Sequence, residues 1–276
     1  MRFFEMNNIF VYIEMEGGKV ADVSLELLTK GRELATTLGV KLEAVVLGHN
    51  LAGIEKELAK YGADTVWVAD DPLFSPFRTL PHTAVLCGLI GQEKPQIALF
   101  GATPVGRDFA PRVSSALHSG LTADCTQLVI GDHKDAKSGR EYKDLLYQIR
   151  PAFGGNIMAQ IISPDCRPQF CTARYKVFAE PKPTAEAHGE IVKMEIAASK
   201  LQSAIDVLFK TEKPKDVDIS EADVIVAVGR GAKSEQNREM AKALADALGG
   251  VVACTRPLVE ENIFDAKQQI GLSGRT

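Results

Sequence analysis

The feature that most constrains this chain is the regular exchange of two hydrophobic periods along residues 8–117. Short apolar runs at 8–13, 42–47, 65–69 and 96–100 read as strands. Between and after them, residues 22–39, 52–61, 81–90 and 107–117 space their apolar side chains for helices. In the first of these, Val23, Leu27, Leu28, Leu34, Ala35 and Leu38 share a face. Asp22 is the expected N-cap, while Gly39 and Gly62 are natural stops for the first two helices. Strands separated by helices are joined by crossovers, which run neighbouring strands parallel and cover both faces of the sheet. The expected fold is therefore α/β, with an N-terminal three-layer domain around a mainly parallel sheet.

From about residue 125 the pattern changes. Residues 125–130, 144–150 and 157–163 are short apolar runs without long helices between them, and 131–140 reads as an exposed hairpin-like loop. Gly154-Gly155 suggests a bulge or a close backbone approach at a sheet edge. Residues 180–189 and 210–218 are rich in proline and charge, and the second stretch reads as the interdomain linker. Beyond it, 223–228 is an apolar run suited to a buried parallel strand. Ser234 caps an Ala- and Leu-rich helix that closes at Gly249-Gly250, and 251–254 is a further strand. The expected division is a domain at 1–209, a linker at 210–220 and a second domain at 221–276. A doubly wound domain needs more strands than this last stretch holds, so the second domain is expected to be incomplete.

Composition narrows the function classes. Hydrophobic residues make up 45% of the chain and charged residues 25%, which excludes disorder. With 32 basic and 36 acidic residues the formal charge is −4, so neither nucleic acid nor an anionic membrane is an expected partner. No apolar run approaches the roughly 18 residues of a membrane span, and residues 1–15, with Glu5 and Glu14, do not read as a secretory signal. Cys87, Cys125, Cys166, Cys171 and Cys254 are dispersed without a C-x-x-C pair, which fits thiols of a reducing cytoplasm. Cys166 and Cys171 flank prolines and are expected in a loop. The histidines at 49, 82, 118, 133 and 188 lack zinc-ligand spacing, so no metal site is expected. No histidine is placed to activate Cys125 beside Asp124, and Asp108 at the expected start of the fourth helix serves to cap its dipole.

The chemistry-bearing signals lie near the C-terminus. Gly229-Arg230-Gly231-Ala232-Lys233-Ser234 stands between an apolar strand and a helix, where a phosphate loop would stand. It is not a Walker A loop, because the first glycine of that motif would fall on Ala227, and Ser234 replaces the third glycine of a dinucleotide fingerprint. Its glycines would let backbone approach an anion, and Arg230 adds a fork of donors. Read alone, the loop serves equally as a tight turn without a ligand. Thr255-Arg256-Pro257 follows the next strand at its carboxyl end, where open α/β sheets bind ligands. Arg230 and Arg256 would there face one crevice, or else stand as two solvated arginines.

Three blocks carry this further: Arg107-Asp108-Phe109-Ala110-Pro111-Arg112, Gly120-Leu121-Thr122-Ala123-Asp124-Cys125-Thr126, and Arg150-Pro151-Ala152-Phe153-Gly154-Gly155-Asn156-Ile157-Met158-Ala159. With Val228-Gly229-Arg230-Gly231, Thr255-Arg256-Pro257-Leu258-Val259 and residues 269–276, the whole chain resembles the electron transfer flavoprotein alpha subunit. The resemblance implies a flavodoxin-like second domain that holds FAD, and a beta subunit that completes a heterodimer. It also implies a carrier role between dehydrogenases, of the acyl-CoA type in fatty acid β-oxidation, and an acceptor. Arg230, Thr255, Arg256, Ile270, Gly271, Leu272 and Ser273 are the implied cofactor-binding residues. Arg256 would lie against the isoalloxazine, where fixed positive charge favours anionic reduced flavin, and Ser273 would offer a hydroxyl near N5. These roles tune a cofactor that itself carries the chemistry. Ser273 stands where many members have Thr, and Leu272 where many have Gln, which removes an amide. The family's next segment carries most pyrophosphate and adenosine contacts, so this span, read as C-terminally truncated, is expected to hold FAD weakly or not at all. The competing reading is a nucleotide-binding α/β module without electron transfer. A third is an N-terminal scaffold for docking the beta subunit.

Overall fold

The computed structural model describes residues 8–152, 156–184, 188–197, 201–211, 219, 222–271 and 274. The chain forms two compact units, Met1–Val207 and Leu208–Thr276. In the first, β1 (Ile9–Ile13) leads through a small hairpin, β2 (Met15–Glu16) and β3 (Lys19–Val20), into α1 (Asp22–Leu38). There follow β4 (Leu42–Gly48), α2 (Ile54–Lys60), β5 (Thr65–Asp70), α3 (Thr79–Glu93), β6 (Ile97–Gly101) and α4 (Pro104–Ala116). The unit continues with β7 (Leu121–Cys125), β8 (Gln127–Lys134), β9 (Glu141–Ala152), β10 (Ile157–Ile161), β11 (Gln169–Ala173) and β12 (Glu190–Lys193).

Seven of these strands form one sheet in the order β12-β5-β4-β1-β6-β11-β7, and its pairings are parallel. Alternation along β1 sorts the core. Ile9, Val11 and Ile13 pack with Leu27, Leu28 and Leu34 of α1 and Leu58 of α2. Phe10 and Tyr12 point the other way, to Val85, Leu86 and Leu89 of α3 and Phe109 and Val113 of α4. The expected three layers are thus present, because the central strands β4, β1, β6 and β11 are buried on both sides. A second, antiparallel sheet, β10-β9-β8, places Leu128 and Leu146 in the α1-side core.

Several local expectations are corrected. Asp22 is the first residue of α1; Ala21 occupies the cap position, and Gly39 ends the helix with φ 68°. The fourth helix starts at Pro104, before Arg107, because Thr103 caps it by accepting from the Gly106 amide at 2.9 Å and proline suits the first turn. Asp108 therefore sits within the helix, where it accepts from the Thr79 hydroxyl. The apolar run at 125–130 is divided: β7 belongs to the large sheet and β8 to the small one, with Thr126 between them donating to Ile149 O at 2.9 Å. The hairpin loop is narrower than 131–140, since β8 and β9 extend to Lys134 and Glu141. Cys171 does not lie in a loop. It is fully buried in β11, and contact with Cys125 together with desolvation raises its thiol pKa. Gly154-Gly155 and most of the expected linker at 210–220 lie outside the described residues.

The second unit contains β13 (Ile225–Val228), α5 (Glu235–Ala247), β14 (Val251–Cys254) and the short α6 (Arg256–Glu260). β13 and β14 pair in parallel, in register from Ile225 with Val251 to Val228 with Cys254. The expected buried strand is only half-buried: Ile225 is exposed, whereas Ala253 and Cys254 of β14 are buried.

Candidate functional site

The carboxyl ends of β13 and β14 lie side by side. The Thr255 amide donates to Val228 O at 3.0 Å, and a Cβ built on Gly229 would lie 3.6 Å from the Thr255 hydroxyl. A third segment joins on the far side of β14. Gln269 makes a parallel bridge with Cys254, and the Ile270 amide donates to Cys254 O at 2.9 Å. Gly229-Arg230, Thr255-Arg256 and Ile270-Gly271 thus follow the ends of three adjacent parallel segments, which brings together five residues of the cofactor-binding set, Arg230, Thr255, Arg256, Ile270 and Gly271, with Gly229 beside them. Leu272 and Ser273 lie outside the described residues.

The loop after β13 tightens into a 3₁₀ turn at Arg230–Ala232, closed by the Ala232 amide on Gly229 O at 2.9 Å. Ser234 then caps α5, as its position implied, by accepting from the Asn237 amide at 3.3 Å. Asn237 also donates to Gly231 O at 2.8 Å, which fixes the loop against the helix start. A Cβ on Gly231 would meet nothing within 4 Å, so internal packing does not require glycine there. What its absence leaves is backbone open to approach from outside. Gly271, with φ 101°, is in a conformation that side chains strain to adopt, so it is required by the turn itself.

Thr255, Arg230 and Arg256 are all exposed. Among the described residues Arg230 makes no ion pair. Arg256 opens α6, with Pro257 in the first turn, and its Nε donates to Glu260 Oε1 at 2.7 Å. Lys233 pairs with the adjacent Glu261 at 2.5 Å, tying the β13 loop to the end of α6. Sequence reading names Lys233 only as part of the glycine loop and misses these two acids, although the i,i+4 spacing of Arg256 and Glu260 is a readable signal. The set offered at this edge is two guanidiniums, a hydroxyl and open backbone at glycine. Such donors suit the carbonyl oxygens and ring nitrogens of a flavin, or the phosphates of a dinucleotide.

The first unit has its own strand-end crevice, with the opposite chemistry. The connections after β1 and β6 leave to α1 and α4 on opposite faces, which makes their carboxyl ends the switch point of the sheet. Glu14 occupies it. Its carboxylate accepts from the Thr103 hydroxyl at 2.6 Å, just where α4 begins, and its amide donates to the buried Ser24 hydroxyl at 2.9 Å. Burial raises the Glu14 pKa, Thr103 opposes this, and Glu16 adds to it. Nearby motif blocks also meet: Arg107 pairs with Asp124 at 3.0 Å, and Asp124 holds φ 59° at the end of β7.

Among the described residues no helix is long and apolar enough to cross a membrane. Comparison with known proteins gives a family profile for the electron transfer flavoprotein domain over residues 9–199, and one for the electron transfer flavoprotein FAD-binding domain over 218–276. The chain is 47% identical to lactate dehydrogenase (NAD(+),ferredoxin) subunit LctC of Acetobacterium woodii, over 97% of this chain and 62% of that protein. It is 43% identical to the electron transfer flavoprotein subunit alpha of Clostridium acetobutylicum, over 99% of this chain and 79% of the relative. It is 37% identical to the acryloyl-CoA reductase electron transfer subunit beta of Anaerotignum propionicum, over 98% and 78%. The chain therefore spans less than two thirds of the length of the first of these relatives.

Proposed function

The chain belongs to the electron transfer flavoprotein alpha-subunit family, and from that premise we propose that it is the FAD-holding subunit of a heterodimeric electron carrier. One observation carries the reading: five residues of the implied set stand at the ends of three adjacent parallel segments, within the part matched to an FAD-binding family. When bound, FAD supplies the redox chemistry of accepting and releasing electrons. The chain's part is to hold and bias it. Gly229 and Gly231 open the backbone to close approach, and Thr255 offers a hydroxyl at the same edge. Arg230 and Arg256 supply fixed positive charge that favours a reduced, anionic ring. Ile270 and Gly271 complete the edge, and the family resemblance implies Leu272 and Ser273 as further cofactor-binding residues.

The partner that completes the carrier is a beta subunit, and the site of action is the cytoplasm, a placement supported by five free thiols. The electron donor is a dehydrogenase of the acyl-CoA type, in the manner of fatty acid β-oxidation. The name of the Anaerotignum relative supports an acyl-CoA system, and that of the Acetobacterium relative supports a lactate system as the second reading. The test is to purify the chain with its beta subunit and record the visible spectrum. Flavin bands near about 375 and 450 nm, bleached by substrate plus an acyl-CoA dehydrogenase, are expected. Bleaching only with lactate and its dehydrogenase would move the donor. A complex that takes up no FAD, while the chain binds ATP or AMP by calorimetry, would replace this proposal with the nucleotide-module reading.

A further inference from the structure

Arg256 does not stand alone at the strand ends. Its Nε donates to Glu260 Oε1 at 2.7 Å, and the next residue, Glu261, takes Lys233 of the β13 loop at 2.5 Å. The end of α6 therefore carries two consecutive carboxylates, one bound to the arginine that opens the same helix and the other to the lysine of the β13 loop. Both members of the Arg256–Glu260 pair are more than half exposed, 65% and 55% by side chain, and such a pair adds little to stability. A stability role does not account for it. Its consequences are geometric and electrostatic: Nε is the inner donor of the guanidinium, so engaging it fixes the plane of the fork while leaving the two terminal nitrogens outward.

We propose that Glu260 is a positioning residue for Arg256, and that it holds the flavin potential down by offsetting part of the arginine's charge. The inference rests on the reading that Arg256 faces FAD, and it adds what that reading lacks, the group that sets how much of the arginine's field the ring feels. A carboxylate bound on the inner side of the guanidinium subtracts from its field at any point on the outer side. Removing the negative charge while keeping an acceptor of the same length leaves the arginine in place with its charge uncompensated. The reduced ring should then be easier to form.

The test uses the flavin-loaded complex with the beta subunit and compares wild type, Glu260→Gln, Glu260→Asp and Arg256→Ala by redox titration. Glu260→Gln is expected to raise the one-electron equilibrium constant for reduction about threefold, roughly 30 mV at 59 mV per tenfold. Glu260→Asp, which keeps the charge, is expected to stay near wild type. In the flavin-free chain, the Arg256 Nε–H proton should exchange with water several-fold faster in Glu260→Ala than in wild type. If Arg256→Ala shifts the potential but Glu260→Gln leaves it unchanged or lowers it, the role of Glu260 is overturned while the site stands. If neither variant moves it, the site reading fails and takes this inference with it. Unchanged Nε–H exchange in Glu260→Ala would refute the positioning role without any flavin present.

Discussion

The sharpest stability prediction concerns His82. Its ring lies in α3 among Phe77, Phe74 and Phe109, with ring centroids 4.6, 4.9 and 6.0 Å away. It is 2% exposed, and its Nδ1 lies 2.8 Å from Arg78 O, so the neutral ring donates there. Desolvation lowers its pKa from 6.5 to about 4; the bond to Arg78 O opposes this and the Arg78 charge adds to it. The native state thus binds fewer protons than the unfolded chain between those values, and stability is lost as pH falls through 6.5. The loss levels off below about pH 4. At about 1.4 kcal/mol per pH unit the full gap is worth about 3 kcal/mol, of which about 2 kcal/mol is felt by pH 5. His82→Leu removes the titration. It should cost about 1 kcal/mol at pH 7.5 through the lost hydrogen bond, yet escape the acid-dependent loss. Urea unfolding followed by fluorescence of Trp67, the single tryptophan and a residue of β5, reports on this unit. Glu14 and Glu43, whose pKa values burial raises, titrate in both proteins and cancel in the comparison. If wild type and His82→Leu lose the same stability between pH 7.5 and 5, the ring is not held neutral by burial and the reasoning is wrong.

Other outcomes follow from single contacts. Glu26 is 3% exposed and accepts the amides of Lys176, Val177 and Phe178 at 2.7, 3.1 and 3.1 Å. Glu26→Ala should cost about 2–4 kcal/mol by urea unfolding and speed amide exchange at 176–178, while an unchanged exchange rate would show that other contacts hold this loop. A Cβ on Gly106 would fall 1.9 Å from Gly101 O, so Gly106→Ala must push α4 away from β6. Loss of at least about 2 kcal/mol is expected, and a cost within about 0.5 kcal/mol would mean the helix relaxes freely. Arg256→Ala should lower the bound-flavin potential by some tens of millivolts, as expected for loss of one partly screened charge. A redox titration with unchanged midpoint would place that guanidinium away from the ring.

How much of this was legible depended on what each strand is covered by. β1, β4, β5 and β6 alternate with helices, so their apolar runs and glycine stops reveal both their type and their parallel order. β11 and β12 carry no such signature. β11 returns from an antiparallel excursion to fill the gap between β6 and β7, and its five residues, Gln169–Ala173, are buried by neighbours far off in sequence. Its flanking prolines read as a loop, which misplaced Cys171. β12 is a four-residue edge strand, Glu190–Lys193, with charge at both ends. At the candidate site, strand ends and glycines were readable because the loops there are short and directly follow strands. The acids that bind Arg256 and Lys233 were not read, since α6 is only one turn long and gives no periodicity.

The two units invite the same question and answer it with opposite charge. Each gathers loops at the carboxyl ends of parallel strands, the place where open α/β sheets take anionic ligands. In the first unit that place holds the Glu14 carboxylate, bonded to the cap residue of α4. An incoming phosphate about 4 Å away would meet repulsion of about 1–4 kcal/mol, from water to a partly buried setting. It would also find the hydroxyl of the cap residue, Thr103, already engaged by the protein's own acid. In the second unit the corresponding edge carries Arg230 and Arg256 with an open Gly231, and its acids, Glu260 and Glu261, are each bound to a cation. Topology alone would let either unit bind a nucleotide. What separates the two edges is the sign of the charge at their strand ends, a carboxylate at Glu14 in the first and guanidiniums at Arg230 and Arg256 in the second.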